Sequence, residues 1–147
     1  MMRHNGCLAL SVLLGLVLAS VSLADDTGGA GQRPFVSLWQ AIDSFDGSTQ
    51  YLSITCARDR SCDVRLNDTA FTHSCDNQIG FARGVGSIER NVLTVEFTLY
   101  CSNLDGTSTN AGTQENEFVL DRTNRTLTNI NDDPVPVPNV FHLISQH

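Results

Sequence analysis

The sequence contains no lysine, and this absence bears on function before any motif is considered. All nine basic residues among the 147 are arginines, scattered singly along the chain, and the formal net charge is −7. Proteins that bind nucleic acids or anionic membrane surfaces need clustered positive charge. The chain is therefore expected to bind neither, and acidity of this size mainly favours solubility.

Motifs that signal catalysis or metal binding are also missing. The sequence has no G-x-S-x-G elbow for a serine nucleophile, no C-x-x-C pair and no EF-hand loop. Asp43 and Asp46 with Asp105, or Asp132 with Asp133, could chelate calcium. Because Asp and Asn in turns cap backbone groups more often than they bind ions, we interpret these residues as turn formers. No cofactor and no metal are predicted.

No segment shows a helical period, and alternation with a period of two dominates instead. The clearest case is Val92–Cys101, in which every second residue is apolar or cysteine: Leu93, Val95, Phe97, Leu99 and Cys101. This pattern predicts an antiparallel strand with one face in a core and one in water. Its inward row ends in a cysteine, which indicates that the strand is also covalently tied.

The same pattern predicts several more short strands, separated by turn signals. They are residues 35–42, 51–56, 62–66, 69–75, 80–89, 117–120, 125–129 and 141–144. Asp46-Gly47 supplies the positive φ that a tight turn needs. The glycines at 80, 84 and 86 suggest a bent or bulged strand, as at a barrel corner or where another segment approaches closely.

Two stretches between the predicted strands are expected to lack regular structure. Residues 104–112 are expected to form a long polar loop, and the alternate prolines of 132–138 predict an extended connection. The whole pattern predicts an all-β, antiparallel meander of about eight short strands. Either a barrel or a sandwich would manage the exposed strand edges. A closed or partly open barrel is preferred, because consecutive hairpins dominate and the Greek-key crossovers of a sandwich would need longer connections.

The first 24 residues have the pattern of a secretory signal. Arg3 and His4 precede an apolar run over residues 7–19, and Ser22 and Ala24 are the small residues of a cleavage site. The run is shorter than the roughly 20 residues that a membrane span needs. We predict a signal peptide at 1–24, a flexible leader at 25–33 and a single β domain at 34–147 in a secreted or periplasmic protein. Loss of Arg3 leaves the mature chain near −8.

Four cysteines remain once Cys7 leaves with the signal, and an even number in an exported chain favours disulfides. Three pairings are possible. Cys56 and Cys62 flank a turn-like stretch, so a hairpin would set them opposite each other. Cys75 and Cys101 then pair by elimination, and both bonds would tie the domain together.

Motifs spread over most of the mature chain resemble a group of small exported bacterial proteins of uncharacterised function. They are Trp39-Gln40-Ala41-Ile42-Asp43 with Asp46-Gly47-Ser48, Leu52-Ser53-Ile54, Cys75, Cys101 and Phe141-His142-Leu143-Ile144-Ser145. The resemblance implies a bacterial exported domain and no activity. A looser similarity is to lipocalin-like barrels, which have a glycine two residues before a first-strand tryptophan; Ser37 stands there in this chain. Such barrels bind small apolar ligands or proteins.

Three aromatic residues near the first predicted hairpin are candidates for a ligand site. Trp39, Phe45 and Tyr51 could line it, although core packing competes as an explanation for the tryptophan. His73 lies beside Ser74 and Cys75, but a nucleophile needs partners that the sequence does not signal, so a structural histidine is favoured.

The main functional hypothesis is a non-enzymatic β domain that binds a small ligand or a protein partner. It depends on the export signal, the cysteines and the missing catalytic motifs. One alternative is a small extracellular hydrolase that uses scattered acidic residues or His73, since distant carboxylates can meet in a fold. Another is an envelope structural protein that is recognised by partners alone.

Overall fold

The computed structural model describes residues 31–59, 61–71, 74–130 and 138–146, and within these ranges the chain is all-β with no helix. Each strand pairs antiparallel with the next, and the last pairs with the first, so the sheet closes into a barrel. The predicted meander and the preference for a barrel are confirmed. The strands are β1 (Ser37–Ile42), β2 (Thr49–Cys56), β3 (Ser61–Phe71), β4 (Gln78–Glu89), β5 (Val92–Ser102), β6 (Ser108–Asp121), β7 (Thr126–Asn129) and β8 (Val140–Gln146).

Apolar rows on the inner face of the strands fill the barrel. Val95 of β5 is fully buried, as expected from its inward position in the alternation. Phe118 makes edge-to-face contacts with Phe97 and Phe141, at ring-centroid distances of 6.3 and 5.9 Å. The buried core is one cluster, formed by Phe35, Trp39, Ala41, Leu52, Ile54, Cys62, Val64, Ala82, Leu93, Val95, Phe97, Leu99, Phe118, Leu120, Leu127 and Phe141.

The glycines of β4 mark a close approach to β5. A Cβ on Gly84 would lie 2.4 Å from the backbone oxygen of Glu96, and one on Gly86 would lie 2.8 Å from that of Thr94. β4 and β5 pair from Gly80 to Glu89 without a shift in register, so no bulge interrupts this ladder. Close approach is confirmed at Gly84 and Gly86, and Gly80 lies beside an irregularity in the β3–β4 ladder, where the register shifts.

Both predicted disulfides are present. Cys56 and Cys62 are directly opposite each other in the β2–β3 ladder and are bonded. The Cys75–Cys101 bond ties the turn before β4 to the end of β5. Two disulfides in so small a domain indicate an oxidising environment.

The prediction of a separate strand at 69–75 is wrong. β3 continues to Phe71, and its register against β4 shifts between Asp68 and Phe71. Cys75 lies in a turn, where its N–H donates to the oxygen of Phe71 and its own oxygen accepts from Gln78. A backbone hydrogen bond from the Cys75 N–H to a residue four positions earlier is typical of a turn, so Cys75 does not continue the ladder of β3.

The predicted loop at 104–112 is also wrong in its second half. Only residues 103–107 form the turn, closed by the Asn103 N–H donating to the oxygen of Thr107, and β6 begins at Ser108. Residues 108–115 are exposed, since β7 pairs with β6 only from Phe118 onwards. This half of β6 covers no core, so it needs no apolar row and its sequence resembles a loop.

Candidate functional site

The three aromatic residues predicted to line a ligand site are not brought together. Trp39 is buried in the barrel core, and its Nε1 donates to the backbone oxygen of Phe35 at 3.0 Å. Tyr51 is exposed on the outer surface, opposite Gln40, and Phe45 is exposed in the turn between β1 and β2. Trp39 and Tyr51 are therefore separated by the barrel wall.

Of the four histidines of the chain, His142 is the one that lies within the described residues. His73 lies outside the described residues. His142 is exposed on β8, opposite Gln40 on one side and Thr126 on the other. In the described ranges, no three His, Cys, Asp or Glu side chains are grouped to hold a metal ion. None of the described residues forms a helix that is long and apolar enough to span a membrane.

The outward row of β4 is unusually apolar for a surface. Ile79 and Val85 are 62% and 68% exposed, and between them lie Phe81 and Arg83. With Tyr100 on the adjacent strand β5, these residues form what we call the β4 face. The inward row beneath these residues consists of glycine and alanine, so β4 lies tightly against β5 there and the large side chains of this part of the strand point out.

The aromatic side chains of the β4 face are held in place by one another. Phe81 and Tyr100 are directly opposite in the β4–β5 ladder, and their rings stack with centroids 5.0 Å apart and 15° between planes. The Arg83 Cζ lies over the Phe81 ring, 5.1 Å from its centroid. Such contacts fix side-chain rotamers, so the face is a preformed platform.

Arg83 is a positive charge without a carboxylate partner among the described residues. It stands directly opposite Arg65 in the β3–β4 ladder, where like charges are unfavourable. Arg65 is compensated by Asp63, with Nη2 to Oδ2 at 3.1 Å, and the pair is half exposed. Arg83 contacts the Phe81 ring, so the β4 face presents one arginine that forms no ion pair within the described residues.

A second cluster lies at the end of the barrel that holds the β1–β2 turn. Gln50 Nε2 donates to Asp43 Oδ2 at 2.8 Å and to Asp68 Oδ2 at 2.9 Å. Asn139 Nδ2 donates to the same Asp43 oxygen at 3.0 Å and to Gln50 Oε1 at 3.3 Å. We call these four residues, together with Ser48, the polar mouth.

The polar mouth joins elements that are far apart in sequence. Gln50 and Asp68 are opposite each other on β2 and β3, Asp43 follows β1, and Asn139 precedes β8. Asp68 is only 4% exposed. Sequence reasoning missed this cluster, although one signal existed: Asp68 continues the inward row of Cys62, Val64 and Leu66.

Several aspartates accept hydrogen bonds within turns, as interpreted from the sequence, and Asp43 of the polar mouth is one of them. Asp46 Oδ1 accepts from the Ser48 N–H, and Asp43 Oδ1 from the Phe45 N–H. Hydrogen bonds from the Thr107 hydroxyl and N–H hold the pKa of Asp105 below its ordinary value. The pKa of Asp59 is lowered by hydrogen bonds from Ser61, and that of Asp121 by hydrogen bonds from Asn124 and Thr123.

Comparison with protein-family models, with curated proteins and with solved structures finds no match to this chain. The resemblance to small exported bacterial proteins, and the looser one to lipocalin-like barrels, stay predictions.

Proposed function

We propose that this protein is a non-enzymatic binding domain, secreted or periplasmic in a bacterium, and that it recognises a protein partner through the β4 face. The observation that carries the proposal is the exposed, preformed row of Ile79, Phe81, Arg83 and Val85 beside Tyr100. Export is supported by the predicted signal at 1–24 and by the two disulfides.

The composition of the β4 face favours a protein as its partner. Aromatic residues and arginine are enriched at the centres of protein interfaces, where the binding energy is concentrated. The Phe81 ring is already engaged by Tyr100 and Arg83, so it is not presented as an open ring face for a sugar. Rigid side chains also lower the entropy lost on association.

Charge adds a requirement on the partner. Arg83 lacks a carboxylate within the described part of the chain, and a partner carboxylate would supply one. Partner aliphatic groups would cover Ile79 and Val85. The proposed partner therefore presents an acidic side chain surrounded by apolar ones.

The alternatives have less support. A small ligand inside the barrel would compete with the packed core side chains. For a hydrolase, Asp43 and Asp68 are one pair of neighbouring carboxylates, but both accept hydrogen bonds from Gln50 and Asp68 is almost fully buried. Carboxylates held in this way have little access to substrate.

Site-specific photo-cross-linking in the producing cells tests the proposal. A benzophenone amino acid is introduced at Ile79 or Val85, and for comparison at Ile144, which is exposed on β8. We expect one partner protein to be cross-linked from the β4 positions and not from Ile144. No specific product from β4, or the same product from all three sites, would refute the β4 face as the interface.

A charge reversal provides the second half of the test. Arg83→Glu should lower partner affinity by roughly tenfold or more, since it places like charges together at the interface. Arg58→Glu makes the same charge change at an exposed position in the β2–β3 turn and should leave binding unchanged. Equal losses in the two variants would point to overall charge and contradict the proposed face.

A further inference from the structure

We infer that the polar mouth is a calcium-binding site. The inference is independent of the β4 face, because the polar mouth faces the barrel interior, the β4 face points outward, and the two share no residue. Two features of the described residues carry it: a pair of carboxylates that no cationic side chain compensates, and a buried hydroxyl without a hydrogen-bond partner.

The first observation is the charge of the polar mouth. Asp43 Oδ2 and Asp68 Oδ2 both contact the nitrogen of Gln50, so the two carboxylates lie close together. Their other donors are amide and backbone N–H groups, and no arginine of the described residues pairs with either. Water screens this charge poorly at Asp68, which is 4% exposed. Buried charges in proteins are normally paired or coordinate a metal.

The second observation is Ser48. Its side chain is 7% exposed, and its Oγ has no hydrogen-bond partner among the described residues. The Ser48 backbone oxygen accepts from the Asp43 N–H at 2.8 Å, which sets the two residues opposite each other at the base of the turn. Ser48 also continues the inward row of Gln50 and Leu52, so its hydroxyl faces the same interior. If the Ser48 Oγ coordinated a cation, this buried oxygen would have a partner.

The ligand chemistry fits calcium better than other metals. Two carboxylates balance a doubly charged ion, and hydroxyl and amide oxygens are ligands that Ca²⁺ accepts, with water at remaining positions. Zinc and copper prefer imidazole or thiolate, and neither is found in the polar mouth. Mg²⁺ requires a more regular octahedron.

Gln50 holds the two carboxylates together when calcium is absent. Its Nε2 bridges the two carboxylates by donating to both, which compensates part of their charge. The oxygen and nitrogen of an amide have nearly the same size, so rotation about the terminal bond replaces the donor with Oε1. The proposed ligands are then Asp43 Oδ2, Asp68 Oδ2, Ser48 Oγ and Gln50 Oε1.

Calorimetric titration with CaCl₂ and thermal unfolding test the inference on the intact domain. Extracellular calcium modules often have dissociation constants of about 0.1–1 mM. At about 5 mM CaCl₂ we expect one bound ion and a melting temperature roughly 5 °C above that in EDTA. The same concentration of MgCl₂ should give a much smaller shift.

Three variants show where the ion binds. Asp68→Asn should abolish the calcium-dependent shift and Ser48→Ala should reduce it, whereas Asp105→Asn, a matched change in an exposed turn, should keep it. If Asp68→Asn fails to fold, the size of the calcium-dependent shift in Ser48→Ala becomes the test of the site. No heat and no shift in the wild type, or equal shifts in all variants, would overturn the inference.

Discussion

At the scale of single residues, Gly84 has a role that follows from packing alone. A methyl group there would meet the backbone oxygen of Glu96, which cannot move without disturbing the β4–β5 ladder. We expect Gly84→Ala to lower the free energy of unfolding by about 1–3 kcal/mol, measured by chemical denaturation.

Gly31→Ala is the matched control for Gly84→Ala. A Cβ at Gly31 meets nothing within 4 Å, so removing a glycine should be neutral or slightly stabilising through the unfolded chain. If both variants lose the same stability, the cost comes from the loss of glycine itself and not from close approach.

The exposed turn aspartates should make stability depend on acid pH. The folded pKa values of Asp59, Asp105 and Asp121 lie below the ordinary 3.8, so the protonated form is disfavoured in the fold. Their contribution is fully present above that value and is lost as pH falls through the lowered pKa values.

Urea denaturation from about pH 6 down to about pH 2 measures this dependence. Replacing all three aspartates with asparagine keeps a side-chain oxygen acceptor in each turn but removes the titration. We expect a smaller loss of stability below pH 3.8 than in the wild type. Parallel pH profiles for the two proteins would contradict the prediction.

At the scale of strands, β5 should be the most sensitive to charge. Val95 and Phe97 are buried against β4 and β6, and neither could reach water from the barrel interior. Val95→Asp or Phe97→Asp should prevent folding, as judged by circular dichroism and the loss of a cooperative transition. Thr98→Asp, on the outward row opposite Arg83, should fold; a wild-type melting temperature for Val95→Asp would show that the inward face was misassigned.

Strands with one face against the core could be predicted from the sequence, whereas strands without such a face could not. A half-buried strand alternates apolar and polar residues, and this alternation in β5 and in the hairpins on either side of it predicted the meander. The exposed half of β6 covers no core, and the end of β3 passes into a turn, so neither carries that signal.

The candidate sites were harder to foresee than the fold. Phe81, Arg83 and Tyr100 form one face only through the β4–β5 register. The polar mouth joins Asp43 and Asp68 with Asn139, which lies far along the chain. Contacts between residues that are far apart in the sequence could not be predicted, because they depend on the register of every strand in the barrel.

At the scale of the whole molecule, ring closure makes every strand a neighbour of two others. Within the described part of the chain, β7 is the shortest strand, with four residues, and three residue pairs join it to β8. The disulfides lie elsewhere, at β2–β3 and at the end of β5. The β7–β8 seam is therefore the part of the ring with the fewest constraints.

Closure also makes the position of the chain ends arbitrary for the fold. Ser37 and Gln146 are paired in the β1–β8 ladder, so a short linker can join the two ends of the domain. New termini can then be opened between Arg90 and Asn91, in the tight turn from β4 to β5. We expect this circular permutant to fold with both disulfides and a cooperative transition, checked by peptide mapping and calorimetry. A permutant that stays unfolded would mean that β4 and β5 must be joined for the ring to form.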